Sequence, residues 1–150
     1  MQVCRGRKGK EMKKETLLFG ETSAEIKIND NILYIKVVGP YTDEVALDLI
    51  RHIGIVAESI QPYIIRVWDG SEIPPESFKL TQPCIDKIAE WSQDLKRKKP
   101  GSKAYMIGST QISFGMARMY QMTSDSAADD IIVLRAFKEL PEEIKSKILE

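Results

Sequence analysis

Residues 63–71 read Tyr63-Ile64-Ile65-Arg66-Val67-Trp68-Asp69-Gly70-Ser71. From Tyr63 to Trp68 the run is almost unbroken in its apolar character, as in a strand covered on both faces and unlike one that alternates between core and water. Gln61-Pro62 ends whatever helix precedes it, and Asp69-Gly70-Ser71 with Pro74-Pro75 makes an irregular connection after it. A strand of this kind needs cover above and below, so the run predicts the centre of a layered α/β domain.

Upstream, Ala24–Ile28 and Ile32–Val38 read as two strands around Asn29-Asp30-Asn31, a cluster that tolerates tight-turn dihedrals. Gly39-Pro40-Tyr41 breaks the second strand. Thr42 then caps a helix whose first turn carries Asp43 and Glu44, and Ala46, Leu49, Ile50, Ile53, Val56, Ala57 and Ile60 recur on one face. Downstream, Pro83 suits a first helical turn, and Ile85, Ile88, Ala89, Ser92 and Leu95 form the next stripe, closed by Lys96 to Lys99 and Pro100-Gly101. Ala104–Ile107 is a short strand, and Ile112, Gly115, Met116, Met119 and Met122 repeat at helical intervals. Ile131–Phe137 is a further strand, and Pro141, Glu142 and Glu143 open a last helix with Ile144, Ile148 and Leu149 inward. The order β-β-α-β-α-β-α-β-α predicts a mixed, mostly parallel sheet, with right-handed crossovers and an antiparallel pair from the opening hairpin.

The length of 150 residues fits one domain with a real core, and 22 basic residues balance 22 acidic ones, so nothing in the net charge favours nucleic acid. Residues 1–15 carry six Lys or Arg against two Glu and no periodic apolar positions. Residues 1–18 therefore read as a basic flexible tail and 19–150 as a single α/β domain. Cys4 and Cys84 make neither a disulfide framework nor a CxxC pair, and no apolar run approaches a membrane span or a secretion signal. A reduced, cytoplasmic setting is the expectation.

Catalytic constellations are scarce. The only histidine, His52, lies on the flank of the first helix, away from the strand ends where α/β sheets assemble catalysis. One histidine and two cysteines fall short of the roughly four ligands of a structural zinc site, and Asp125, Asp129 and Asp130 lack the spacing of a calcium loop. Phosphate-cradling glycine motifs are absent, so neither a metal nor a cofactor is expected, and the chain reads as no enzyme. Lys96-Arg97-Lys98-Lys99, with Lys103, is explained by cations favoured at a helix C-terminus.

The positions that remain suit recognition. Asp69 and Ser71 leave the carboxyl end of the central strand, where open sheets place ligands and partners, and Ser77 stands shortly before a helix, where a phosphate would meet free backbone amides. Phe114 and Arg118 lie four residues apart, opposite the methionine stripe, as an exposed aromatic–cation pair. Asp69, Ser71, Ser77, Phe114 and Arg118 are thus the candidate partner-binding residues. Substitution of Asp69, Ser77 or Arg118 is expected to disturb partner capture and leave folding largely intact. Met116, Met119 and Met122 are candidate lining for an adaptable apolar pocket.

The strand order, Val67-Trp68-Asp69 before a loop and helix, and residues 131–148, IIVLRAFKELPEEIKSKI, resemble the STAS-like family, in particular its SpoIIAA-like branch, which is related in structure to CRAL-TRIO lipid-binding domains. The resemblance spans about residues 20–150. It implies a non-catalytic regulatory or sensing module that engages an unidentified protein partner through the loop after the central strand and the adjacent helices, with homodimer formation open to it. The second implication is a lipid or small apolar ligand held between sheet and helices. In the anti-sigma antagonists of that family a D-S-S-G sequence carries a phosphorylated serine; here the same register reads Ser77-Phe78-Lys79-Leu80, so Ser71 and Ser77 stand only as nearby hydroxyls.

Overall fold

The computed structural model describes residues 13–111, 113–115, 117–118 and 131–150. Its strands are β1 (Lys13–Phe19), β2 (Thr22–Asn29), β3 (Ile32–Val38), β4 (Tyr41–Thr42), β5 (Ile65–Glu72), β6 (Phe78–Lys79), β7 (Lys103–Ile107) and β8 (Ile131–Leu134). Helices are α1 (Asp43–Glu58), α2 (Gln82–Lys98), α3, to which residues 111, 113–115 and 117–118 belong, and α4 (Glu142–Leu149). The main sheet has the order β1-β2-β3-β5-β7-β8, antiparallel from β1 to β3 and parallel from β3 to β8. Among the described residues no helix is long and apolar enough to cross a membrane.

The apolar run after Pro62 becomes β5, inside the sheet and parallel to both neighbours. Its side chains alternate between two cores. Ile64 and Trp68 face α1 and α2 together with Leu33, Ile35, Leu49, Ile53 and Ile85, while Ile65 and Val67 face α4 with Ile32, Tyr34, Ile144 and Ile148. Each fully buried aliphatic side chain contributes about 1.5–3 kcal/mol, which is why the pleat cannot slip by one residue without exchanging the two cores. Arg66, the one charge in the run, is buried; its guanidinium lies 5.0 Å from the Trp91 ring centroid and donates to Ser92 Oγ at 2.8 Å.

Three expectations need correction. The tail does not extend to residue 18: Lys13–Phe19 is an edge strand paired along its whole length with β2, and Leu17 and Phe19 pack on the core. Backbone pairing, which needs no apolar side chain, orders Lys13 to Thr16. Asp69-Gly70-Ser71-Glu72 is not a loop but the end of β5, held by Lys36 and Val38 of β3 and Ile107 of β7. The last strand stops at Leu134, and Phe137–Glu139 turns as a 3-10 helix because Phe137 folds edge-on against Tyr34, with ring centroids 5.9 Å apart. Met116, Met119, Met122 and Asp125, Asp129 and Asp130 lie outside the described residues.

Two helix starts place the connections near the site. Thr42 caps α1, accepting from Val45 N, and Thr81 caps α2, accepting from Cys84 N. The basic run ends α2 as expected, with Arg97 and Lys98 pairing with Asp94. Lys99 instead turns inward, where its ammonium donates to the Ile60 and Glu58 carbonyls at the end of α1. One helix's last cation thus closes its neighbour's open C-terminus.

Candidate functional site

The carboxyl ends of β3, β5 and β7 gather the polar residues. Asp69 is only 5% exposed. Its Oδ2 accepts from the Tyr34 hydroxyl at 2.5 Å, and its Oδ1 accepts from Ser71 N at 3.0 Å and Ser71 Oγ at 2.6 Å. A buried carboxylate is tolerable because three donors replace its water. Asp69 is therefore first a structural residue, and the expectation that its substitution would leave folding largely intact is not supported. Lys36 Nζ and Glu72 pair at 2.6 Å nearby.

Burial, then the Asp69 hydrogen bond, raises the Tyr34 phenol well above its ordinary value of 10.0, and burial followed by the Glu143 charge raises Tyr105 in the same direction. The folded state therefore keeps phenolic protons that the unfolded chain releases. Their contribution to stability is complete below about pH 10 and declines as the pH rises beyond it. An alkaline titration followed by phenolate absorbance should show Tyr34 ionising only together with loss of helical circular dichroism, and Tyr105 ionising at higher pH than an ordinary phenol. Ionisation of every tyrosine before unfolding would contradict the assignment.

The other proposed positions separate. Ser71 is exposed and tied to Asp69, and Ser109 Oγ reaches its carbonyl at 3.4 Å, so the end of β5 meets the approach to α3. Ser77 is not at a helix N-terminus: it ends the 3-10 turn Pro75–Ser77, with β6 between it and the Thr81 cap. Phe114 does not form an open pair with Arg118. It is half-buried, and its ring is covered at 3.8 Å by the guanidinium of Arg135, a contact between distant segments that periodicity cannot reveal. Arg118 is exposed. His52 is engaged at the α1 flank, 2.8 Å from Glu15 of β1. Among the described residues no cluster of His, Cys, Asp and Glu suits a metal ion, and Cys84 is buried, its thiol pushed up to about 11 by burial and Asp43.

Beside the polar cluster, on the α1 and α2 face, lies a cavity of about 70 Å³. The sheet supplies Trp68 and Met106, α2 supplies Ile85 and Ile88, and α3 supplies Ala117. A further wall is the connection after β5, through Ile73, Phe78 and Leu80, with Phe78 packed edge-on against Tyr41 at 5.6 Å, and Asp69 also borders the space. Sequence reasoning did not assign these residues to a site. The signal for them was an apolar Phe78 and Leu80 within a connection otherwise made of Pro, Glu, Ser and Lys, but it names no partner for those side chains.

No protein-family model matches the chain, and no curated protein matches it. Among solved structures it is similar to an uncharacterized protein of the DUF3478 family with a SpoIIAA-like fold from Shewanella loihica PV-4, at 14% identity over 85% of this chain and 89% of that chain, with a TM-score of 0.46.

Proposed function

We propose that the chain is a non-catalytic sensing module whose cavity takes a small apolar ligand and whose connection after β5 passes the occupied state to a protein partner. One observation carries this reading: the loop expected to meet a partner is itself a wall of the apolar cavity. A ligand touching Phe78 and Leu80 from inside therefore acts on the exposed Glu76 and Lys79 of the same segment. The polar end of β5, with Ser71 exposed, borders that surface.

The volume sets the ligand class. At about 70 Å³ the cavity exceeds the roughly 10–15 Å³ needed for one water and is about half of the 150 Å³ apolar cavity known to take benzene or xenon. A small hydrocarbon group fits a space of this size, whereas a whole acyl chain does not. The test is nuclear magnetic resonance under xenon pressure. Side-chain signals of Trp68, Ile73, Ile85 and Ile88 should shift saturably, and Ala117→Leu, which fills the space, should abolish the shifts and leave the spectrum otherwise folded. Unmoved signals in the native chain, or shifts that persist in Ala117→Leu, would overturn the reading.

A further inference from the structure

The two ends of the sheet differ in charge. Strands β3, β5 and β7 begin where β1 also begins: Lys13 of β1 stands opposite Ile28, beside the 29–32 turn, and Ile65 of β5 stands between Ile32 and Lys103. Helices α1 and α2 end there too, since Lys99 reaches the carbonyls of Glu58 and Ile60 from the end of α2, and α4 ends there with Lys147 paired to Asp30. This amino end carries Lys13, Lys96, Arg97, Lys98, Lys103 and Lys147 against Asp30, Glu58, Asp94 and Glu150. Residues 1–12, which join the sheet at Lys13, add Arg5, Arg7, Lys8 and Lys10 against Glu11. The whole chain is neutral, with 22 basic and 22 acidic residues, so an excess of cations here leaves the rest of the molecule acidic. A helix C-terminus accounts for Lys96 to Lys98. It accounts for neither Lys13, nor Lys103, nor the sequence before Lys13.

Exposed apolar side chains gather at the same end. Tyr63 borders a depression with Lys13, Ile55 borders the α1–α2 groove with Lys98, and Leu149 is the last residue of α4. Ile55 and Leu149 are 66% and 70% exposed. Ile55 lies three residues before the end of α1, about 5 Å up its axis, within the roughly 5–10 Å to which apolar groups of a surface-bound protein enter the boundary between lipid headgroups and chains. From β1 to β7 is four strand spacings, about 19 Å, so the cations share one patch little wider than two Debye lengths. Two of the three apolar groups are aliphatic, which suits lipid chains, whereas nucleic acid is held by bases stacked on aromatic rings. We infer that the amino end of the sheet docks on a membrane surface of anionic lipid, with its cations at the headgroups and Ile55, Tyr63 and Leu149 set between them. Docked this way, the connection after β5, at the opposite end, faces away from the lipid and stays open to a partner.

Vesicle flotation of the full chain is the test. It should float with vesicles of equal parts phosphatidylglycerol and phosphatidylcholine and not with phosphatidylcholine alone. Raising the ionic strength from about 0.1 to about 1 M, which shortens the Debye length from about 10 to about 3 Å, should release it. A matched pair of variants places the surface. Lys103→Gln should lower the partition coefficient about three- to fivefold, whereas Lys79→Gln, an equal loss of charge at the opposite end, should change it less than about twofold. Ile55→Ser with Leu149→Ser should lower it at least about threefold while the circular dichroism stays native. Failure to float with the anionic vesicles, flotation that ignores lipid charge, or equal losses from Lys79→Gln and Lys103→Gln would overturn the inference. Vesicle binding untouched by Ile55→Ser with Leu149→Ser would overturn it too, and a gel shift of duplex DNA that Lys103→Gln weakens would then make this end a nucleic-acid surface. If the apolar pair does not fold, the Lys103 and Lys79 variants decide alone.

Discussion

Replacing Gly108 with alanine is expected to destabilise the fold by roughly 3 kcal/mol, lowering the thermal midpoint by about 6–12 °C. The reason is proximity, not backbone conformation. A Cβ on Gly108 would lie 2.7 Å from Phe114 N and from the Ser113 carbonyl carbon, and 2.8 Å from Ser113 O, all of them backbone atoms that no rotamer change can withdraw. That backbone is itself fixed. Thr110 Oγ1 accepts from Ser113 N at 3.0 Å, Ser113 Oγ accepts from Thr110 N at 3.1 Å, and Phe114 N donates to Thr110 O at 2.9 Å, a reciprocal cap at the start of α3. Gly108 N is committed on the other side to Leu134 O at 3.0 Å. The added methyl must therefore push α3 away from β7 or break the end of the β7 strand. Gly115, on α3 with no atom of the described residues beyond its own helix turn within 4 Å of where a Cβ would stand, is the control; alanine there should be neutral or stabilising by up to about 1 kcal/mol. Chemical denaturation of both variants checks the pair. A native midpoint for Gly108→Ala would mean that α3 does not rest on β7 as described.

The architecture was legible where side chains alone decide it. Tyr63 to Trp68 reads as a doubly covered strand because both neighbouring layers demand apolar groups, and β5 carries Ile65 and Val67 to one core and Trp68 to the other. The stripes of α1 and α2 were equally plain, down to the Thr42 cap. Illegible were the elements made by backbone partners. Lys13 to Thr16 has the composition of a tail and becomes a strand only because β2 offers its free edge. Asp69 to Glu72 looks like a turn, yet β7 pairs as far as Asp69 and β3 reaches Glu72 past a bulge regardless of polarity, and the polar groups satisfy one another. In both places tertiary pairing overrode local preference.

The candidate site divides on the same line. Asp69 and Ser71 could be placed from the sequence because the end of a central strand is a predictable address, and they do lie at the end of β5. What they do there could not be read, since the Tyr34 partner lies 35 residues away and only the fold brings it near. Phe114 was misassigned because helical spacing fixes which residues share a face but not which distant cation, here Arg135, covers that face. The cavity itself depends on Phe78, Leu80 and Ile73 meeting helices far along the chain. No periodicity encodes a void.

The second large effect belongs to Asp69→Ala, expected to destabilise by about 2–4 kcal/mol because it strands a buried donor. Tyr34 is 5% exposed, and Asp69 is its hydroxyl's acceptor at 2.5 Å; with alanine that hydroxyl stays buried with neither carboxylate nor water. Ser71, being exposed, turns its hydroxyl to solvent and loses little. The cost thus lies with Tyr34, and this makes the prediction divisible. Tyr34→Phe alone leaves the carboxylate with its two Ser71 bonds and should cost roughly 1–2 kcal/mol. Tyr34→Phe combined with Asp69→Ala removes donor and acceptor together and should be less destabilising than the two single losses summed, by about 1 kcal/mol or more. Denaturation midpoints of the three variants close the cycle. If the losses simply add, Tyr34 and Asp69 are not coupled across the sheet, and the cost of Asp69→Ala lies elsewhere than in the Tyr34 hydroxyl. If they couple as expected, any effect of Asp69 on partner capture acts through the shape of the β5 end, and Ser71, Glu76 and Lys79 become the side chains to substitute when that surface is mapped.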